Sequence, residues 1–203
     1  MNVPILSINQ LTVSRDDRCL FRDLSFVVGA GQLIQIEGPN GAGKSSLIRA
    51  IAGLLDTGAG SIAIQGQHDA DARRDQVLLW TALPGVKMRL DARTNLAWLL
   101  NQRNESADPD GLLAKVGLAG WEDVPLGQMS TGQVRRVGMA ALLASKKPLW
   151  LLDEPYNALD IDAQTQLSSV IQGRLDQGGS VVLASHHAAP GLSADQQLRL
   201  GQP

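Results

Sequence analysis

The run Gly38-Pro39-Asn40-Gly41-Ala42-Gly43-Lys44-Ser45 constrains this chain more than any other feature, because it fits the pattern GxxxxGK[ST] and follows the apolar segment Leu33-Ile34-Gln35-Ile36. A strand that ends in such a loop and continues as a helix, marked here by Leu47, Ile48, Ile51 and Ala52, presents backbone N–H groups to an anion. Glycines let successive amides turn the same way, and a helix opening at Gly43 adds its positive end. The ligand predicted is a nucleoside triphosphate, with Gly38 through Ser46 as candidate contacts. Lys44 is placed to reach the β- and γ-phosphates and the Ser45 hydroxyl to meet Mg²⁺.

A second segment, Lys147-Pro148-Leu149-Trp150-Leu151-Leu152-Asp153-Glu154-Pro155, reads as a strand buried on both faces that stops at two carboxylates and a proline. The carboxyl end of a strand is where an open α/β sheet places its ligand. Asp153 there suits Mg²⁺, held through water, and Glu154 suits the general base for an attacking water. An Asp-Glu pair after an apolar run is also a common helix cap, so the pair gains its meaning from the phosphate loop upstream.

Between the two lies Met129-Ser130-Thr131-Gly132-Gln133, followed by the helical pattern Val134-Arg135-Arg136-Val137 and Ala140 to Leu143. Here the chain resembles the ATP-binding-cassette family, whose signature LSGGQ is kept at Ser130, Gly132 and Gln133 and altered at Met129 and Thr131. A Ser hydroxyl, a Gly amide and a helix N-terminus again suit a phosphate, although Ser130 can equally be an N-cap. The resemblance implies that this phosphate belongs to ATP on another subunit, in a head-to-tail dimer of ATP-binding subunits. Asn157-Ala158-Leu159-Asp160 looks like the family's D-loop, with Asp160 crossing to the partner's site. Ser180 to Ser185 is another buried strand, ending at His186, which the resemblance makes the γ-phosphate switch; its neighbour His187 is less well placed. Glu154, His186 and Lys44 are thus the catalytic candidates.

The expected fold is α/β: a P-loop NTPase cassette with a mixed central sheet, an N-terminal antiparallel β flap (Leu6 to Val13, Leu24 to Val28, Ser61 to Ile64) and an inserted helical lobe over about 88–145. Val77 to Trp80 is expected to join the central sheet, and Asn101 to Asp110 to form a loop. The 203 residues suit a single ATP-binding domain. A net charge of −2 argues against bulk binding of nucleic acid. One cysteine, Cys19, permits no internal disulfide, and no run approaches a membrane span, so a cytoplasmic chain that meets a membrane only through a partner is expected.

Two positions depart from the family pattern. The residue that stacks on adenine is Arg15 by spacing, where the family has an aromatic; a guanidinium can also stack on a purine. The Gln expected after Val77-Leu78-Leu79-Trp80 is missing, and Leu83 stands before Pro84 instead. That substitution removes an oxygen ligand of Mg²⁺ and implies slow hydrolysis in the isolated subunit. The length, Arg15-Asp16-Asp17-Arg18, Leu78-Leu79-Trp80, Pro84-Gly85-Val86-Lys87, Arg89-Leu90 and Asn95-Leu96 resemble the ATP-binding subunits of the cytochrome c maturation system, the haem exporter ATPases. This implies integral-membrane transporter partners at the cytoplasmic face of the bacterial inner membrane, with no haem bound by the chain itself. Service to another exporter of drugs, lipids or metals, or a soluble non-transport cassette ATPase, are the alternatives.

Overall fold

A computed structural model of the chain describes residues 3–15, 18–81, 85–186 and 189–201, and for Arg15 and Arg18 the backbone alone. Two compact units form: Met1–Thr81 with Lys147–Pro155 and Ile171–Pro203, and Ala82–Lys146 with Tyr156–Val170.

Among the described residues the strands belong to the first unit: β1 (Leu6–Arg15), β2 (Arg18–Val28), β3 (Leu33–Glu37), β4 (Ala59–Ile64), β5 (Val77–Trp80), β6 (Leu149–Asp153), β7 (Ser180–Ala184) and β8 (Gln196–Arg199). The mixture of strand senses expected from the sequence is divided between two sheets. A three-stranded flap of order β2-β1-β4 is antiparallel, and a five-stranded sheet of order β5-β6-β7-β3-β8 is parallel at each pairing. The flap's alternation is interrupted in phase: Leu6 and Ile8 are buried, then Leu11 and Val13. A bulge absorbs the extra residue, with a register shift between Ile8 and Leu11 and Gln10 at φ 46°. Gly60 passes so close that a Cβ there would lie 2.4 Å from the Gln10 carbonyl oxygen, so only glycine fits.

In the parallel sheet, β6 and β7 are buried at every position and β3 at all but Glu37, which is why they read as continuous apolar runs. Helix α1 (Lys44–Ile51) buries Leu47, Ile48, Ala50 and Ile51 in a core shared with Ile8, Leu11 and Ile62 of the flap and Ile34, Ile36, Leu151 and Val182 of the sheet. Each Leu or Ile so buried contributes about 2 kcal/mol. The far end of α1 is closed by Arg73, from the short α2 (Ala70–Arg74), whose Nη1 donates to the Ala50 and Ile51 carbonyls at 3.2 and 3.3 Å. The helix that carries Lys44 is therefore held along its length and at its end.

The second unit packs α3 (Ala92–Gln102), α4 (Pro109–Lys115) and α5 (Thr131–Ala144) against one another. The loop expected over Asn101 to Asp110 shrinks to 103–108. Pro109 opens α4 at its first turn, where the missing N–H costs nothing, and Asp108 caps that helix through the Asp110 and Gly111 amides. Asn95, wholly buried, takes the Lys87 amide at 2.7 Å and donates to the Lys87, Leu90 and Asp91 carbonyls, fixing the turn before α3. Helix α6 (Ile161–Asp176) begins in this unit, and its last turns, from Ile171, belong to the first.

Candidate nucleotide-binding site

Strand β3 delivers the chain to the phosphate loop between β7 and β8, with Ile36 opposite Ala184 and Glu37 opposite Arg199. Three glycines then take conformations that L side chains resist, Gly38 at φ 150°, Gly41 at 81° and Gly43 at 99°. They differ in what surrounds them. A Cβ on Gly43 would press on Leu20 and Phe21 at 3.2 Å, whereas one on Gly41 would meet no protein atom within 4 Å. The loop is thus packed from the flap side and open at Gly41. The Ala42 amide donates to the Pro39 carbonyl at 3.1 Å, and α1 starts at Lys44 behind a left-handed Gly43 with no side-chain cap on its first amides. Asn40 is exposed, Ser45 half-buried and Ser46 buried in the first turn.

Lys44, 7% exposed, extends back over its own loop. Its Nζ donates to the Gly38 carbonyl at 2.8 Å and the Pro39 carbonyl at 3.5 Å, and lies 3.2 Å from His186 Nε2 and 3.8 Å from Glu154 Oε1. His186 Nε2 is also 3.3 Å from Glu154 Oε1, yet that carboxylate oxygen makes no hydrogen bond. A lysine ammonium can only donate, so the 3.2 Å contact is a hydrogen bond in the tautomer whose Nε2 carries no proton.

Two adjacent residues build the acidic side. Asp153 ends β6 opposite Ala184, 8% exposed, and its Oδ1 is buried without a hydrogen-bond donor. Glu154 leaves the strand at φ 49°, an uncommon conformation for a side chain of this size, while its amide still donates to the Ala184 carbonyl at 2.8 Å. Buried carboxylate oxygens without donors are costly unless a cation or water takes them up.

The other candidates belong to the second unit. Ser130 and Gln133 form a reciprocal capping box at the start of α5, the Ser130 hydroxyl accepting from the Gln133 amide at 3.2 Å and the Gln133 side chain from the Ser130 amide at 2.9 Å. Gly132 follows on the first turn with the Ala158 carbonyl 3.7 Å from where its Cβ would stand. Asp160 caps α6 by accepting from the Ala163 amide at 2.7 Å and takes Arg136 Nη2 on both oxygens, at 3.1 and 3.2 Å. The amide first, and Arg136 after it, hold its carboxyl below the usual range. Arg136, in the second turn of α5, also donates to the Val116 carbonyl at 3.1 Å. The Arg15 side chain, Leu83 and His187 lie outside the described residues.

The ABC transporter family matches residues 21–157. The cytochrome c biogenesis ATP-binding export protein CcmA of Vibrio cholerae serotype O1 is 42% identical, covering 98% of this chain and all of that one. Its counterpart in Pseudomonas putida strain GB-1 is 43% identical over 95% of this chain and 94% of its own. Among solved structures, an ATP-binding subunit of an ABC transporter superposes with a TM-score of 0.87 at 25% identity, over 97% of this chain and 85% of the other. The chain is therefore an ATP-binding, ATP-hydrolysing member of the ABC transporter family, in the group of cytochrome c biogenesis ATP-binding export proteins.

Proposed function

We propose that this chain is the ATPase subunit of a bacterial complex that energises haem export, or release of a haem-loaded chaperone, during cytochrome c maturation. Lys44 holds the β- and γ-phosphates, exchanging the Gly38 and Pro39 carbonyls and His186 for phosphate oxygens. Ser45 and Asp153 hold Mg²⁺, which supplies charge neutralisation on the phosphates; the buried, donorless Asp153 Oδ1 fits a cation's water shell. Glu154 accepts a proton from the water that attacks the γ-phosphorus as ADP departs, and His186, released from Lys44, contacts the γ-phosphate. Ser130, Gly132 and Gln133 complete the site of a second copy, and Asp160 reaches across to it.

The observation that carries this reading is the convergence of Lys44, Glu154 and His186, from three separate segments, within 3.8 Å of one another. The match to export proteins of cytochrome c biogenesis, 42 and 43% identical over nearly the whole chain, supports the cargo system and, with it, the reading that integral-membrane partners hold the chain at the cytoplasmic face. Among the described residues no helix is long and apolar enough to cross a membrane. The test is replacement of the corresponding subunit in a bacterium lacking it. Wild-type chain should restore c-type cytochromes and co-fractionate with membranes, and Lys44→Ala should restore none. ATP hydrolysis without any return of c-type cytochromes would reassign the chain to another exporter.

A further inference from the structure

The phosphate loop is gripped on a side that none of its motif residues explains. Strand β8 pairs with β3 through Glu37 opposite Arg199, and the pairing continues beyond the strand: the Leu200 amide donates to the Glu37 carbonyl at 2.9 Å. Leu200, 4% exposed, shares the core cluster with Ala42. Its carbonyl then lies against the bare Cα of Gly38, where a Cβ would come within 2.6 Å of it. Gly201 makes the reciprocal approach. At φ 78° its own Cβ would stand 3.0 Å from the Ala42 Cβ and 3.6 Å from the Pro39 ring. Gly38 thus meets the Leu200 carbonyl and Gly201 meets the Ala42 and Pro39 side chains, which leaves little slack between the two segments.

From this double approach we infer that Leu200 and Gly201 are positioning residues for the phosphate loop, setting its curvature and through it the affinity for ATP. The reason is geometric. The amides between Gly38 and Gly43 bind phosphate only when they converge; inside the loop the Ala42 to Pro39 turn and the Lys44 ammonium on the Gly38 and Pro39 carbonyls hold it, and on the reading proposed the ammonium leaves those carbonyls when phosphate binds. The flap fixes one end through Gly43, and the Leu200–Gly201 segment fixes the other through Gly38, Pro39 and Ala42. A displacement of a few tenths of an ångström there moves the cradle and leaves Asp153, at the end of β6, and Glu154, just after it, where they are. The signature of such a brace is weaker nucleotide binding with little change in turnover at saturation.

This inference rests on the reading of Gly38 to Ser46 as the ATP site. Its test compares Gly201→Ala with Gly191→Ala in the full-length chain. Both glycines have positive φ, 78° and 71°, but a Cβ at Gly191 meets nothing within 4 Å. Any shared cost of backbone strain is thereby subtracted. Binding of trinitrophenyl-ATP with Mg²⁺ should weaken about fivefold or more for Gly201→Ala relative to Gly191→Ala, the low end of what overpacking a tight contact costs, with kcat retained. Ala42→Gly removes the atom that the new methyl meets, so Gly201→Ala/Ala42→Gly should bind like Ala42→Gly alone. Equal affinities for Gly201→Ala and Gly191→Ala overturn the brace while leaving the site intact. Absence of binding in wild type and Gly191→Ala overturns the site reading and this one with it. If Gly201→Ala does not fold, rescue of folding and affinity by Ala42→Gly sustains the proposal, and failure of rescue refutes it.

Discussion

Replacing Glu154 with Gln removes one charge from the ring around Lys44 while keeping size and hydrogen-bonding capacity, so its consequences separate binding from chemistry. In the structure the Glu154 carboxylate, 18% exposed, stands 3.8 Å from the Lys44 ammonium. At an effective dielectric near 20 that attraction is about 4 kcal/mol before desolvation is counted, and it holds Lys44 back on its own loop. Loss of the charge frees the ammonium for phosphate and removes a repulsion from the γ-phosphate, so ATP affinity should be unchanged or tighter. Hydrolysis should fall about 10²- to 10⁴-fold, roughly 3–5 kcal/mol in barrier, as the proton of the attacking water loses its acceptor. The assays are trinitrophenyl-ATP titration, steady-state phosphate release and size-exclusion mass with MgATP, where the variant should accumulate as an ATP-bound dimer. Wild-type turnover would remove Glu154 as the base. A large loss of affinity would show instead that the carboxylate is needed to orient Lys44.

Ser130→Arg should abolish hydrolysis with nucleotide binding by the single subunit intact, and Lys44→Ala should lose binding itself; mixed, the two should regain activity from the one composite site that keeps both native residues. Equal loss of ATP binding in both variants would place Ser130 in the site of its own chain. Asp160 supplies a pH signature: its folded carboxyl titrates below its ordinary value, so the stability it lends is complete above roughly pH 4 and is lost as pH falls through the folded value. Asp160→Asn should flatten that acid limb in thermal melts from pH 7 to pH 2, and an unaltered limb would show that the Ala163 and Arg136 contacts do not stabilise the carboxylate.

What the sequence makes legible follows burial. Strands β6 and β7 are apolar throughout because both faces are covered, and the phosphate loop is legible because its backbone demands glycine. Strand β8, Gln196-Gln197-Leu198-Arg199, carries no such pattern. It is an exposed edge held by backbone pairing to β3 and by the Leu33 amide on Asp195, forces that leave side chains free to be polar. The brace at Leu200 and Gly201 was hidden for the same reason. Helix α6 is obscured differently: it opens on Ile161, an apolar residue that is 80% exposed and so misplaces the buried face. Pro109 reads as a loop residue until the Asp108 cap shows it to be the first turn of α4.

The candidate site divides along the same physical line. Lys44 could be named from its motif, but its contact with His186, 142 residues away, is a product of β3 and β7 being neighbours, which no local spacing encodes. Glu154 is the point where local preference is overridden. After a strand whose every residue obeys burial, the backbone turns to φ 49° while its amide adds one more bond to Ala184. A left-handed Glu costs about 1 kcal/mol or more relative to glycine, and the fold bears that cost in a residue whose carboxylate reaches both Lys44 and His186. Glycine there would relieve the strain and remove the proposed base. A strained Glu where glycine would sit easily fits the proposed chemistry better than a demand of packing.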